Sequence, residues 1–382
     1  LGNAKIGKAL GCPGAEALLL AAGFEKRDDV LEVPEGRSEA EVVPPVQAAL
    51  AALGVRDPLA IAAHLRVGAP VRCVCALAGG GFATGAMDNA VRIHRPGQWE
   101  QPAVLSGHVQ RAGVNGVLAV VPDRGDLVSA GRDGKIIFWR DGMQWQQWGE
   151  LTGHGQGIEG TNVHVVSCLG RRADGALLSG GWDKTVRAWE SDQQVALLQG
   201  HTVAVNAVVG LASGEVVSGS GDQTINIWRD NEKLRSCTLN APVRSVCSCS
   251  GSLFASGGND GLVRLWDAST GRQLAECRVS SGYVLSLAFS EATNEVAAGA
   301  DDGTLAVIAL KGLPSGSPSL QVLETLQHCG EIYGVAFLES GDVAVACGDS
   351  SCVVWTRSPS RAASAAVQQD FSAAARAVAA AR

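Results

Sequence analysis

Across most of this chain short apolar runs alternate with clusters of Gly, Asp, Asn and Ser, the pattern of half-buried strands joined by tight turns. The segment from Gly200 to Trp228, GHTVAVNAVVGLASGEVVSGSGDQTINIW, shows it most completely. A Gly-His pair opens the segment, an apolar run from Ala204 to Val209 follows, and a Gly-containing turn leads to a second run ending at Ser218-Gly219. An Asp in a tight turn then precedes an alternating third run closed by Trp228. Val216-Val217 and Ile225-Asn226-Ile227 suit a pleated, half-buried surface. With His201 in the loop entering the first strand, its ring can reach Asp222 in the turn between the second and third. Ser218 and the Trp228 indole N–H extend that network, so that the buried polar groups find partners.

Such a unit carries weight only if it recurs at the ~40-residue spacing of a four-stranded propeller blade. Turn Asp residues recur at Asp88, Asp133, Asp183, Asp222, Asp260, Asp302 and Asp349. Three have a Gly-His ahead and a Trp behind, which predicts the structural networks His108/Ser129/Asp133/Trp139, His154/Ser179/Asp183/Trp189 and His201/Ser218/Asp222/Trp228. The other four are degenerate: the first repeat ends in His94 and the sixth in Ile308, the fifth and sixth lack Gly-His, and the seventh offers only His328-Cys329. This is the anatomy of a WD repeat, and it predicts an all-β, seven-bladed WD-repeat β-propeller over residues 71–357. The His-Asp-Ser sets look like catalytic triads, but one set per intact blade is the habit of a structural device rather than of a unique active site.

Composition narrows the function classes. A formal charge of −7 argues against a nucleic-acid-binding surface. The 11 cysteines include no CxxC pair. Cys73/Cys75 and Cys247/Cys249 fall two apart in strand-like runs, which directs each pair to one sheet face and reads as core packing in a reducing compartment. No apolar run approaches the ~18 residues of a membrane span, and no N-terminal segment has the order of a signal peptide. No membrane insertion and a cytoplasmic or nuclear location are therefore expected. Leu1 stands where an initiator Met would, so the chain reads as a fragment or a processed product. With no nucleophile elbow, metal-spaced cluster or phosphate loop, the sequence predicts no enzyme activity, metal or cofactor.

Residues 1–55 do not follow the repeat. Pro13 to Ala22 predicts a helix, with Pro in its first turn and Gly23 beyond its end. After Phe24 come a charged turn and a short strand-like run, Val30 to Val33, stopped by Pro34-Glu35-Gly36. A second helix should run from Pro44-Pro45 to Leu53, making a small, mainly helical domain. Leu1-Gly2-Asn3, Ala21 to Phe24 and Val30 to Gly36 resemble the C-terminal two thirds of a PUB domain, whose first helices would precede Leu1. That resemblance implies that Asn3 lies in a groove binding the C-terminal tail of the valosin-containing AAA ATPase. Residues 56–70 read as a linker with an apolar strand, Ala60 to Val67, that closes the propeller beside the blade containing Trp355. Residues 358–382 read as a solvated Ala/Ser-rich linker.

LLSGGWDKTVRAW (Leu177 to Trp189), LLQGHTVAVNAV (Leu197 to Val208) and the tail TRSPSRAASAAVQQDFSAA (Thr356 to Ala374) are similar to the phospholipase A-2-activating protein family, ubiquitin-homeostasis adaptors of the same AAA ATPase. A preceding PUB-like segment is unusual in that family, and the chain stops before the domains the family places downstream. The resemblance implies a non-catalytic adaptor in ubiquitin-dependent protein turnover, with ubiquitin or ubiquitinated proteins bound on the propeller face that carries the Asp turns. Residues immediately before those turns, among them Met87, Arg132, Trp182 and Asn259, should ring the mouth of the central channel, with Tyr283 and Tyr333 on the same side. Aromatic, Arg and Met side chains dominate contacts of this kind, so these six are the candidate ubiquitin-binding residues. The alternative is a WD-repeat scaffold for another multiprotein complex, in signalling or chromatin, because the repeats do not name a partner.

Overall fold

The computed structural model describes residues 25–27, 30–32 and 59–381, apart from 111–115, 124–125, 143, 156–162 and 313–317. Asn3 and the helices expected at Pro13 to Ala22 and Pro44 to Leu53 lie outside the described residues. The chain forms two units, residues 1–59 and 60–382. In the first, Glu25–Arg27 pairs antiparallel with Val30–Glu32, so the charged segment read as a turn is one arm of a hairpin.

In the second unit one turn is built seven times. The carboxylate of each turn Asp accepts the backbone N–H two residues on, at 3.0 to 3.2 Å, in every repeat from Asp88 to Asp349. The residue between them is left-handed each time: Asn89, Gly134, Lys184, Gln223, Gly261, Gly303 and Ser350 have φ between 66° and 83°. Asp offers the chain this local bond, and the left-handed residue reverses its direction so that the next strand can pair with the last.

The strands so connected form seven four-stranded antiparallel sheets. Blades one to six are consecutive meanders from Val71 to Gln327. Blade seven takes three strands, Ile332–Phe337, Val343–Cys347 and Ser351–Thr356, from the end of the repeat array. Its fourth, Ala60–Arg66, comes from before blade one and pairs antiparallel with Ser351–Thr356, placing Ile61 opposite Trp355. The ring is thus sealed by hydrogen bonds between the two ends of the array, which removes an edge from the last blade.

The core lies between adjacent blades. Leu178, Val186 and Leu198 of blade three, for example, pack with Val205, Val208 and Trp228 of blade four. Cys247 and Cys249 belong to the cluster shared by blades five and six, and Cys73 and Cys75 to that of blades one and two. Burial pushes the Cys73 and Cys168 thiols up to about 12, so these cysteines are small apolar groups rather than nucleophiles.

Residues 358–382 are not the solvated linker their composition implies. A helix spans Ala365–Ala381, and its face carrying Phe371 and Ala375 is buried, at 4% and 2% exposure. Ala is the strongest helix former, and an apolar pair four residues apart gives the helix a side to bury. Ahead of it the Ala363 N–H donates to the Ile61 carbonyl at 2.7 Å, anchoring the chain to the closing strand. Phe371 then stands edge-on to three rings of blade seven, with centroids 5.2 Å from His64, 5.5 Å from His328 and 5.7 Å from Trp355.

Two stability changes are expected. Phe371→Ala should lower the free energy of unfolding by about 3 kcal/mol, as for other buried Phe truncations, with a shift in the tryptophan fluorescence of the folded state from Trp355. Gln223→Gly should act oppositely, raising stability by roughly 0.5–1 kcal/mol, because Gly occupies the left-handed region without the Cβ clash. Denaturant titrations of the two variants beside the parent chain measure both.

Candidate functional site

The turns also define a ring of equivalent positions. In each blade the residue before the turn Asp donates its backbone N–H to the carbonyl just ahead of the innermost strand, at 2.8 to 3.1 Å. Met87 bonds Pro70, Arg132 bonds Gly116, Trp182 bonds Val165, Gly221 bonds Ala204, Asn259 bonds Pro242, Asp301 bonds Tyr283 and Gly348 bonds Glu331. The donors and acceptors therefore occupy one rim around the channel mouth. Tyr283 is itself an acceptor position in this scheme. Tyr333 is not: it lies two residues beyond the acceptor Glu331, at the second position of its strand.

A second repeated feature explains Tyr333. Every innermost strand shifts register at its second residue, between Val71 and Cys73, Val117 and Ala119, Val166 and Cys168, Val205 and Ala207, Val243 and Ser245, Val284 and Ser286, and Ile332 and Gly334. A β-bulge re-aims the extra side chain. Here bulged residues reach neighbouring blades: the Ser167 hydroxyl donates to the Val205 carbonyl, and the Asn206 amide to the Val243 carbonyl at 2.7 Å. Arg72 and Tyr333 are bulged residues of blades one and seven, and the Arg72 guanidinium lies 3.6 Å above the Tyr333 ring.

The rim side chains gather in two groups. In the first, Arg132 of blade two has its guanidinium 6.0 Å from the Trp182 ring. Burial, and then the charge of neighbouring Arg72, hold Arg132 below the usual arginine range. In the second, the Arg244 Nε–H donates to the Asn259 side chain at 2.7 Å, and its guanidinium lies 5.9 Å from the Tyr283 ring. Met87 is half-buried, and its sulfur would lie 2.9 Å from a Cβ added at Gly116. Trp182 and Tyr283 are 36% and 43% exposed, large enough fractions to meet a ligand. Val203, beside Gly221 and 46% exposed, joins them, and Arg72 and Arg244 complete the site. Sequence reasoning passed over these three. The Val-Arg pairs that open VRCVCA and VRSVCS, in register with Ile332-Tyr333, were the signal for the two arginines.

Outside the rim, three intact blades carry one network each. The Trp139 indole N–H donates to the Ser129 hydroxyl at 2.8 Å, Ser129 lies 2.8 Å from His108 Nε2, and His108 Nδ1 lies 3.0 Å from the Asp133 carboxylate. His154, Ser179, Asp183 and Trp189 repeat this arrangement, as do His201, Ser218, Asp222 and Trp228. With the indole donating to its oxygen, Ser keeps its own hydrogen for Nε2, and in that assignment the Nδ1–H points at Asp. The order of bonds is that of a hydrolase triad. The Ser oxygens, however, belong to residues with no solvent exposure and are already engaged by indole, so no substrate reaches them.

Degenerate blades meet the same demand with other atoms. In blade one Thr84 and His94 stand where Ser and Trp would and lie 3.2 Å apart. Blade five keeps Trp266 bonded to Ser256, while Asp260 turns to Arg264. In blade six the Ser280 hydroxyl replaces His as donor to Asp302, at 2.6 Å. In blade seven Val345 holds the Ser position, and the Trp355 indole donates directly to His328 Nε2 at 3.0 Å. Burial holds His328 down at about 3, so it is the neutral ring this bond requires.

Among the described residues no group of three or more His, Cys, Asp or Glu is placed to hold a metal ion. A concavity of about 990 Å³ lies away from the rim, beside the C-terminal helix, lined by His64, Trp99, Val367 and Phe371 among others. No described helix is long and apolar enough to cross a membrane.

The profile of the WD domain, G-beta repeat, matches residues 99–140, 145–190, 192–229, 232–267 and 320–356, together just over half of the chain. Each matched segment ends one residue beyond the tryptophan of blade two, three, four, five or seven. Among curated proteins the chain is 34% identical to Protein DOA1 of Saccharomyces cerevisiae over 214 residues, 45% of this chain and 29% of that protein. It is 28% identical to the ribosome biogenesis protein WDR12 homolog of Chlamydomonas reinhardtii over 301 residues, 74% of this chain and 63% of that one. It thus spans less than two thirds of either relative. Among solved structures it is similar to the WD40 beta propeller domain of Doa1, with a TM-score of 0.69 at 23% identity over 81% of this chain and 100% of that one. A chain of the mitotic checkpoint complex gives 0.68 at 18% identity over 87% of this chain and 98% of that one. At these identities the structural likenesses establish the fold alone.

The intact networks make stability pH-dependent. Burial alone would raise the Asp133, Asp183 and Asp222 carboxyls, but in each the bonds from neighbouring donors, His108 and His154 foremost in the first two and Thr224 in the third, outweigh it and hold the group below the usual range. A depressed native value favours folding above the unfolded value near ~4, and the gain is lost as pH falls through the native one. Unfolding midpoints should therefore hold from pH 7 to 5 as far as these groups are concerned and drop below about 4. In an Asp133→Asn variant the drop should be shallower and the midpoint at pH 7 lower.

Proposed function

The chain belongs to the WD domain, G-beta repeat, family, and from that premise we propose that it is a non-catalytic adaptor whose channel mouth binds ubiquitin or ubiquitinated proteins. One observation carries the reading: a single backbone bond, repeated in all seven blades, sets Trp182 and Tyr283 on one rim, with Val203 next to the blade-four acceptor Ala204, and all three side chains are exposed. Aromatic side chains held by neighbouring arginines and flanked by an exposed aliphatic group are what an interface centre consists of, since they bury much area at small entropic cost. Such a surface suits the apolar patch of ubiquitin. Met87, Arg132, Asn259 and Tyr333 support it from the same rim.

The likeness to Protein DOA1 and the resemblance of Leu177 to Trp189 and of Leu197 to Val208 to phospholipase A-2-activating proteins favour ubiquitin as the cargo. In this proposal the segment around Asn3 supplies a PUB-like contact to the C-terminal tail of the valosin-containing AAA ATPase, and the protein works in the cytoplasm and nucleus in ubiquitin-dependent protein turnover. A second reading, a scaffold for another multiprotein assembly, draws support from the longer match to a ribosome biogenesis protein.

Titration of isotope-labelled ubiquitin with the purified chain, followed by NMR, separates the two. Ubiquitin's apolar patch should shift, and Trp182→Ala or Tyr283→Ala should weaken binding about tenfold, the size of an interface anchor of roughly 1.4 kcal/mol. An unperturbed ubiquitin spectrum in the presence of excess folded chain would overturn the ubiquitin reading and favour the scaffold.

A further inference from the structure

Arginines of the propeller are mostly neutralised by a nearby carboxylate. Arg92 pairs with Asp88, Arg140 with Asp126, Arg171 with Asp123, Arg229 with Glu215 and Arg264 with Asp260. Among the described residues Arg72, Arg132 and Arg244 at the channel mouth have no such ion pair; Arg244 bonds the Asn259 side chain instead, while Arg72 and Arg132 stand on adjacent blades, both half-buried. Among the described residues neither has a carboxylate within ion-pair reach, and Arg132 Nε is shielded from solvent without a hydrogen-bond partner. Their rings hold them from the side: Tyr333 lies flat beneath Arg72, and Trp182 flanks Arg132.

The charge of Arg72 is felt at Arg132, and burial strengthens the repulsion between two like charges. Stacking on an aromatic face fixes a guanidinium while leaving its N–H edge uncommitted, which is the geometry that recognises a carboxylate or phosphate with two parallel bonds. Two acidic residues share the rim: Asp301 on blade six, already accepting the Tyr283 N–H at 2.6 Å, and Glu331 on blade seven, near the Tyr333 ring but outside ion-pair distance of Arg72.

We infer that Arg72 and Arg132, braced by Tyr333 and Trp182, form a receptor for an anionic side chain presented by an extended acidic segment of a protein partner at the channel mouth. The inference rests on the mouth being a docking face and adds a charged subsite to the apolar contacts proposed above. The partner's acidic residue seats over blades one and two, and its carboxylate or phosphate relieves the repulsion between the arginines. A net charge of −7 sets a long polyanion such as a nucleic acid at a disadvantage, whereas a short acidic stretch meets only the local field.

Fluorescence anisotropy with the full chain tests this, using a fluorescein-labelled decaglutamate, a Gly/Ser decapeptide carrying one phosphoserine, and the same decapeptide unmodified. At least one anionic peptide should bind and the unmodified one should not, and the tighter of the two identifies the anion as carboxylate or phosphate. Arg72→Gln and Arg132→Gln should each weaken that binding about tenfold or more, as expected when one arm of a bidentate contact is lost. Both variants should keep or raise the melting temperature, because each removes one of two like charges. Unchanged affinity in both variants, or a single-stranded decanucleotide that binds more tightly than either peptide, would refute the receptor. Ubiquitin binding by the wild-type chain with no response to either anionic peptide would refute it too and leave the adaptor reading standing. A peptide response without a ubiquitin response would do the reverse.

Discussion

The architecture depends on a carboxylate that accepts the amide two residues further along, next to a residue held in the left-handed region. That turn, repeated from Asp88 to Asp349, sets the strand pairing of every blade and fixes where the rim residues stand. It tolerates Asn, Lys, Gln and Ser at the left-handed position because the local Asp bond and the flanking ladders hold the backbone there against its preference. The backbone bond from the residue before Asp to the innermost strand then ties each turn to the channel. At that position the backbone N–H is committed in every blade while the residue ranges from Gly to Trp, which makes the rim fixed in frame and variable in chemistry.

The buried networks behind the turns show that satisfaction of polar groups, not residue identity, is the constraint. Intact blades use Trp, Ser, His and Asp in one chain of donors. Blade one manages with Thr84 and His94, blade six with Ser280 and Asp302, and blade seven by turning His328 onto the indole of Trp355. Each solution leaves few buried donors without an acceptor, the condition under which a polar core adds rigidity instead of cost. Blade seven pays for the absence of its Ser by leaning on the C-terminal helix, whose Phe371 closes against His328, Trp355 and His64.

Function, on this account, resides where the frame has no further use for the side chains. The rim presents aromatic and aliphatic surface at Trp182, Tyr283 and Val203, and charge at Arg72, Arg132 and Arg244. Rings and guanidiniums from neighbouring blades hold one another, so the face is shaped before any partner arrives. Such preorganisation lowers the entropy lost on association. The serines that could have served as nucleophiles lie in the buried networks, out of reach of this face.

How much of this was legible in the sequence follows from the range over which each feature is encoded. Turn Asp residues, strand periodicity and the number of blades are written within single repeats, because each turn and its flanking strands are closed by local bonds. The positions ahead of the turns were singled out through the resemblance, applied to that spacing. The C-terminal helix could not be told from a linker by composition, since an Ala- and Ser-rich stretch becomes a buried element only when Phe371 and Ala375 find a surface, and that surface exists only after the ring has closed. Nor does any local pattern bring Arg72 onto Tyr333 or beside Arg132. The sequence by itself determined the repeated blade and its turn; the tertiary structure alone decided which side chains of different blades meet, because those contacts are set by closing seven blades through the pairing of Ala60–Arg66 with Ser351–Thr356.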